Sequence, residues 1–218
     1  QSAEKISEAL DFELVNHTRV HAIDTQQQRI DSDSGSWFYR RLVLATGARQ
    51  FVLPISGDGA ADILSVNSLD DYRRFYLKLE DARHIAIIGP GLIGCEFAND
   101  LALAGKQVSV IGPDPWPLSS LLPEAAGRFL HRRLQQQGID FHLQNTVVSD
   151  RHADTGYRLE LQDGDQIEAD LVLSAVGLRA NLDLAELKAP EAGVPLASAR
   201  CFVVGGAGTP PRRVVECD

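Results

Sequence analysis

The sequence predicts an α/β protein in which a parallel sheet forms the middle of three layers and a β-meander follows. Two continuous apolar runs, Leu42–Thr46 and Leu171–Ala175, are typical of strands that are covered on both faces, and a further strand is predicted at His84–Ile88. Helical patterns at Leu92–Ala104 and Pro123–Gln137 alternate with strands in this part of the chain. Asp163-Gly164 joins two short alternating segments and predicts a hairpin.

The remaining elements divide the chain into four parts. We predict a helix end at Ser2–Leu10 and a helix that begins after Asn67 or Ser68. Further strands are predicted at Phe12–Val15, Arg19–Ile23, Arg29–Asp31, Trp37–Arg40, Leu42–Thr46, Gln107–Ile111, Asp140–Leu143, Tyr157–Gln162 and Gln166–Glu168. The predicted parts are residues 1–56, a connector and helix at 57–81, the main α/β domain at 82–199, and an atypical tail at 200–218.

Composition excludes several classes of function. The formal charge of −9 repels phosphate backbones and argues against a nucleic-acid partner. The chain has no run of about 18 apolar residues, so a membrane span is not predicted. The cysteines are odd in number and lack redox or zinc spacing, which favours a reducing cytoplasm and no metal site; they are Cys95, Cys201 and Cys217.

A glycine loop carries the strongest functional signal. Gly89, Gly91 and Gly94 have G-x-G-x-x-G spacing between a predicted strand and a predicted helix. The first glycine permits a tight turn, the second lets the backbone approach a pyrophosphate, and the third lets helix and strand pack closely. This context predicts a Rossmann-like domain that binds a dinucleotide, with the phosphates at the helix N-terminus.

The ribose-recognition position is less regular. The second strand of such domains commonly ends in an acid that recognises NAD, whereas a basic residue accommodates NADP. Here Gly112 stands at that position, and Asp114 follows two residues later with no Lys or Arg beside it. The pattern favours NADH, and the alternative is that Asp114 is only a turn residue.

Several segments resemble one known family. Leu92–Leu101 and Asp170–Arg179, together with His17–Ile30 and Leu42–Ala48, are similar to rubredoxin–NAD and flavorubredoxin reductases. These enzymes are a branch of the FAD-dependent pyridine-nucleotide oxidoreductases, and the resemblance covers roughly residues 1–198. It implies a partial FAD-binding domain at 1–56, an inserted NAD(P)-binding domain, and electron transfer from NADH through FAD to rubredoxin or a similar small Fe–S carrier.

The resemblance also implies roles for individual residues in binding NADH. Glu96 matches the family's glutamate beside the flavin and nicotinamide rings, and is therefore the predicted catalytic residue. From the residues alone, a carboxylate here can instead stabilise the helix start. Gly177 matches a glycine next to NADH. The predicted pyrophosphate loop consists of Gly89, Gly91, Leu92, Ile93 and Gly94.

For FAD, the resemblance implies two contacts. Val20 matches a valine whose backbone meets the adenine, and Ala45, Thr46 and Gly47 match a turn that passes the cofactor. The family's first glycine loop, which holds the FAD pyrophosphate, would precede residue 1, and its later Gly-Asp flavin motif is replaced by the tail. We therefore expect the chain by itself to bind FAD weakly, to be colourless, and to expose apolar faces in residues 1–56.

Two other functions remain open at this stage. One is an NADH-dependent disulfide, peroxide or oxygen reductase of the same superfamily, whose active-site cysteine would lie before residue 1. The other is a non-catalytic NAD-binding module.

Overall fold

The computed structural model describes residues 3–186, 200–204 and 212–215. They belong to two compact units, one formed by Gln1–Arg49 with Leu178–Asp218 and the other by Gln50–Gly177. The four parts predicted from the sequence, with boundaries after residues 56, 81 and 199, remain a prediction. Within the described ranges, no helix is both long and apolar enough to cross a bilayer.

The α-helices and strands are numbered in chain order. The helices are α1 (Ala3–Leu10), α2 (Leu69–Leu79), α3 (Leu92–Leu103), α4 (Glu124–Gln135) and α5 (Asp183–Glu186). The strands are β1 (Phe12–Val15), β2 (Val20–Asp24), β3 (Arg29–Ser32), β4 (Gly35–Phe38), β5 (Arg41–Thr46), β6 (Ala48–Gln50), β7 (Leu64–Ser65), β8 (His84–Ile88), β9 (Gln107–Gly112), β10 (Ile139–Leu143), β11 (Val147–His152), β12 (Tyr157–Leu161), β13 (Gln166–Ala169), β14 (Leu171–Ser174), β15 (Leu178–Ala180), β16 (Arg200–Val204) and β17 (Arg212–Val215).

A parallel sheet of five strands forms the middle of the 50–177 unit. Its order is β10-β9-β8-β14-β7, and every neighbouring pair is parallel. Alternate residues of β8 enter two different cores, because successive side chains of a strand point to opposite faces. Ile85 and Ile87 pack with α2, α3 and α4, whereas Ala86 and Ile88 pack with the meander β11-β12-β13. The three-layer α/β fold is therefore confirmed, with helices on one face and the meander on the other.

The sheet sets the position of its loops. Four of the five β8 residues are buried, and each of its three isoleucines contributes about 1.5–3 kcal/mol when fully removed from water. Parallel strands end at the same edge, so the loops that follow β8, β9 and β14 lie next to one another. The predicted strand at His84–Ile88 has those same bounds in the structure.

The unit formed by Gln1–Arg49 and Leu178–Asp218 has a smaller core. In its sheet, of order β1-β17-β16-β5, the outer strands come from the N-terminal segment and the central strands from the C-terminal tail. Val20, Ile23, Ile30 and Tyr39 form the buried cluster. Large apolar side chains at other positions of this unit are exposed, including Leu10, Phe38 and Val43. The prediction that Leu42–Thr46 is covered on both faces is therefore wrong, because β5 leaves Val43 exposed.

Several segments differ from the sequence-based prediction, among them the short strands Ala48–Gln50, Leu64–Ser65 and Leu178–Ala180, which the sequence did not predict. The strand expected at Trp37–Arg40 is Gly35–Phe38, because the tight turn after Ser32 pairs that residue with Gly35. Val147–His152 is a strand that the sequence did not predict, since its residues are mostly polar. The tail was expected to be atypical, yet Arg200–Val204 and Arg212–Val215 are strands; residues 205–211 lie outside the described residues.

Candidate dinucleotide-binding site

Two glycines let α3 pack directly against the end of β8. Gly89 has φ +114°, and a Cβ at this position would lie 2.7 Å from the Ala175 carbonyl oxygen. A Cβ on Gly94 would lie under 3.0 Å from the Gly89 carbonyl oxygen, closer than real Cβ atoms approach any heavy atom. Gly89 therefore needs glycine for its positive-φ turn and its contact with Ala175, and Gly94 needs it for the close packing of α3; the turn and the packing are the two roles that the fingerprint predicts.

The third glycine has a different environment. Gly91 precedes the first residue of α3, and a Cβ here would meet nothing within 4 Å. No side chain caps this helix end. The first helical hydrogen bond runs from the Cys95 N–H to the Gly91 carbonyl at 2.9 Å, so the amides of Leu92, Ile93 and Gly94 precede it. Amides without helical acceptors beside open space fit a diphosphate, which the helix dipole also favours.

Pro90 connects this loop to the segment that follows β9. Its carbonyl accepts a hydrogen bond from the Leu118 N–H at 2.9 Å and a weaker one from the Cys95 thiol at 3.4 Å. Its ring packs against Gly112. Proline lacks an N–H, but the helix-opening amides come after it, so the loop retains its donors.

The side chains of α3 divide between solvent and core. Leu92, Ile93 and Glu96 are exposed, and the Glu96 carboxylate has no hydrogen bond or ion pair within the described residues. Cys95 is buried, and burial raises the pKa of its thiol to about 11. A thiol with so high a pKa is a poor nucleophile at neutral pH, so Cys95 is a core residue.

Gly177 lies in the chain that leaves β14 at the same edge of the sheet. The Ala175 N–H donates to the Ile88 carbonyl at 2.7 Å, and Ala175 is the residue against which Gly89 packs. Gly177 itself is exposed, has φ +98°, and has open space where a Cβ would be. Gly177, a predicted NADH contact, therefore lies two residues after Ala175, which contacts Gly89 of the glycine loop.

The predicted FAD-contacting residues lie in the other unit. Val20 and Ala45 are buried, and Gly47 has φ +66° with open space above it. Asn181 holds this turn: its side-chain amide donates to the Thr46 carbonyl at 2.8 Å and its N–H to the Gly47 carbonyl at 3.0 Å. The Thr46 hydroxyl donates in return to the Asn181 carbonyl at 2.5 Å. No pattern in the sequence indicates Asn181, because it lies 135 positions after Thr46 and meets it only in the folded unit.

A buried acid was also missed. Asp150 of β11 is fully buried, and neither carboxylate oxygen has a hydrogen-bond partner in the part of the chain that the structure describes. Near it, His152 contacts Asp62 at 2.9 Å and Asp58 at 3.6 Å. Burial raises the pKa of Asp150 to about 6. Among the described residues, no group of three or more His, Cys, Asp or Glu could hold a metal ion.

The fold and the open glycine loop define a dinucleotide-binding α/β unit. The chain belongs to the pyridine nucleotide-disulphide oxidoreductase family, whose model matches residues 2–207. The resemblance that the sequence analysis found within this superfamily is therefore confirmed.

Individual relatives agree with this assignment. A nitric oxide reductase FlRd-NAD(+) reductase of Vibrio vulnificus is 38% identical over 201 residues, covering 92% of this chain and 52% of that protein. A rubredoxin-NAD(+) reductase of Acinetobacter baylyi is 43% identical over 193 residues, covering 84% and 49%. A solved ferredoxin reductase of Rhodopseudomonas palustris has a TM-score of 0.78 at 28% identity, covering 90% and 48%. The chain spans about half the length of the curated relatives it matches.

Proposed function

We propose that this chain supplies the NADH-binding unit and part of the FAD-binding unit of an FAD-dependent NADH oxidoreductase. Its electron acceptor is rubredoxin or a similar small Fe–S carrier, and neither nucleic acid nor a membrane is a partner. The observation that carries the proposal is the uncapped start of α3 beside the open space at Gly91. The names of the relatives, two of which are NAD(+) reductases, support the choice of cofactor and acceptor.

The residues of this chain hold and orient the reactants. The amides that open α3 donate to the NADH diphosphate, with Gly89, Gly91, Leu92, Ile93 and Gly94 forming the loop. Glu96 lies one turn further along α3, and its exposed carboxylate would lie beside the nicotinamide and flavin rings as the catalytic residue. Gly177 has no side chain and open space where a Cβ would lie, so the nicotinamide end of NADH can approach its backbone. Bound NADH and FAD supply the hydride and electron-transfer chemistry.

The FAD contacts belong to the other unit. Val20 meets the adenine through its backbone, and the turn of Ala45, Thr46 and Gly47 passes the cofactor. Asn181 keeps that turn in place through its hydrogen bonds to Thr46 and Gly47. We further propose that the protein works in the cytoplasm, where the scattered cysteines of this chain would remain reduced.

We expect Gly91→Ala to remove NADH binding without unfolding the chain. The new methyl group enters the open space and the backbone is extended there, with φ −77° and ψ −173°, so folding costs little. The same methyl would occupy the place of the diphosphate, and we expect the affinity for NADH to fall at least about ten-fold, a loss of about 1.4 kcal/mol. A fluorescence titration with NADH measures the first effect, and thermal unfolding checks the second. Equal affinity in both proteins would contradict the proposed site.

Glu96→Gln tests the catalytic part of the proposal with FAD supplied in excess, because the chain by itself is expected to bind FAD weakly. Loss of the carboxylate should slow the reduction of FAD by NADH by about 10²-fold, a typical contribution of one positioned acid–base group, with little change in NADH affinity. Stopped-flow absorbance of the flavin measures this rate, and rubredoxin reduction is followed in the same assay. Asp100→Asn, an exposed acid on the same helix, is the matched control.

These assays also separate the remaining alternatives. NADH binding without reduction of any acceptor would favour a non-catalytic module. Flavin reduction that passes to a disulfide, peroxide or oxygen, and not to rubredoxin, would favour the other reductases. Cys95 does not supply the thiolate that a disulfide reductase needs, because burial keeps its pKa high.

A further inference from the structure

The Pro90 ring occupies the place where an acid at the end of β9 would lie. A Cβ built on Gly112 would stand 2.7 Å from Pro90 Cγ and closer still to Cδ. The backbone of Gly112 is not in the left-handed region, so its conformation would accept any residue. Only the contact with Pro90 excludes a side chain, and with it the usual carboxylate that recognises the ribose.

Asp114 is held by the segment that follows β9. Its carboxylate accepts a hydrogen bond from the Ser119 hydroxyl, and its backbone carbonyl accepts one from the Gln144 N–H at 3.1 Å. Its side chain is half-buried, so the carboxylate has a defined position and still reaches solvent.

Leu118 ties this segment to the glycine loop. It has φ +59°, a conformation that costs a non-glycine residue free energy and persists only where the surroundings fix it. Its N–H donates to the Pro90 carbonyl at 2.9 Å, and its own carbonyl accepts from the Leu122 N–H at 2.8 Å. Pro90 therefore has two effects. Its ring leaves no space for a side chain at position 112, and its carbonyl fixes the turn in which Ser119 donates a hydrogen bond to Asp114.

The nearby cation, Arg128, already has two interaction partners within the chain. Arg128 of α4 makes an ion pair with Glu124 at 2.7 Å and lies over the Trp116 ring, 5.6 Å from its centroid. Trp116 in turn packs against Gly127 of the same helix. These contacts hold the guanidinium on α4, which leaves a carboxylate as the charged group of the segment after β9.

We propose that Pro90 moves ribose recognition from the end of β9 to Asp114, positioned by Ser119, and that Asp114 selects NADH over NADPH. The proposal rests on the proposed NADH-binding function. A carboxylate accepts a hydrogen bond from a ribose 2′-hydroxyl, whereas it repels a 2′-phosphate of about two negative charges.

The test compares NADH and NADPH affinities of the chain by fluorescence titration. The unaltered chain should prefer NADH. In Asp114→Asn we expect the ratio of the two affinities to shift toward NADPH by about ten-fold, because a charge-assisted hydrogen bond and a repulsion are lost together. Ser119→Ala should shift the ratio in the same direction by less. Asp140→Asn, an exposed acid on β10, is the control and should leave the ratio unchanged.

A pair of variants tests the steric part. Gly112→Asp alone should lower NADH affinity, because the new side chain displaces Pro90 and the loop it anchors. Pro90→Ala combined with Gly112→Asp should restore it and make Asp114→Asn harmless to the affinity ratio. Full NADH affinity in Gly112→Asp alone would overturn the claim that Pro90 excludes a side chain at position 112.

The two proposals fail in different ways. If the unaltered chain binds neither NADH nor NADPH, both the proposed function and this inference are overturned. Chain that binds NADH with the same NADH-to-NADPH ratio after Asp114→Asn would overturn this inference alone, and Asp114 would then be only a turn residue.

Discussion

Gly94→Ala should destabilise the 50–177 unit and abolish NADH binding in the same step. The added methyl group would overlap the Gly89 carbonyl oxygen, which is backbone and cannot rotate away. Helix α3 must then move off β8, and such overpacking costs about 3 kcal/mol. The amides of Leu92 and Ile93 move with the helix, so the diphosphate site is lost as well. Urea unfolding and an NADH titration measure the two effects.

The matched control is the same change three residues earlier. Gly91→Ala adds a methyl group to open space, so it should lose NADH affinity with little loss of stability. The contrast between the two variants separates a glycine needed for packing from a glycine needed for ligand approach. If Gly94→Ala unfolds at the same urea concentration as the unaltered chain, the close contact between α3 and the glycine loop is wrong.

Asp150→Asn should stabilise the chain at high pH and leave its stability unchanged at low pH. Burial raises the pKa of Asp150 from 3.8 to about 6, with His152 opposing this shift and Asp62 and Asp58 adding to it. A raised pKa in the folded state means that the contribution to stability is fully present below about pH 4 and is lost as the pH rises through about 6.

The size of this effect follows from the shift. About two pKa units correspond to about 3 kcal/mol, which the neutral amide should recover at pH 8 and not at pH 4. Denaturant unfolding at both pH values measures the difference in the free energy of unfolding between the variant and the unaltered chain. Asp154→Asn, an exposed acid of the following turn, should show no such difference. An equal gain at both pH values would show that the Asp150 carboxylate is not the cause.

The features that the sequence predicted are those encoded by local pattern. Strand β8 contains four successive apolar residues that end at Gly89, so its end could be predicted, and the glycine spacing placed the loop between it and α3. Ser68 caps α2 through the Asp71 N–H at 3.1 Å, one of the two caps that the sequence allowed. Periodicity and capping act over a few residues, which is why they are visible without the fold.

The features that the sequence missed depend on residues far apart in the chain. Nothing near Asp150 indicates that β11 buries it against the connector that contains Gly59. The contact between Pro90 and Gly112 exists only because β8 and β9 are neighbours in the sheet. Asn181 likewise meets Thr46 only in the folded unit. Tertiary packing determines these contacts, so composition and spacing give no signal for them.

The account depends most directly on the backbone amides at the start of α3. An amide-resolved NMR titration of the chain with NADH measures whether they bind the diphosphate. The largest shifts should fall on the N–H groups of Leu92, Ile93 and Gly94, and Gly91→Ala should remove them. Shifts concentrated at other positions, with these three amides unchanged at saturating NADH, would contradict the account.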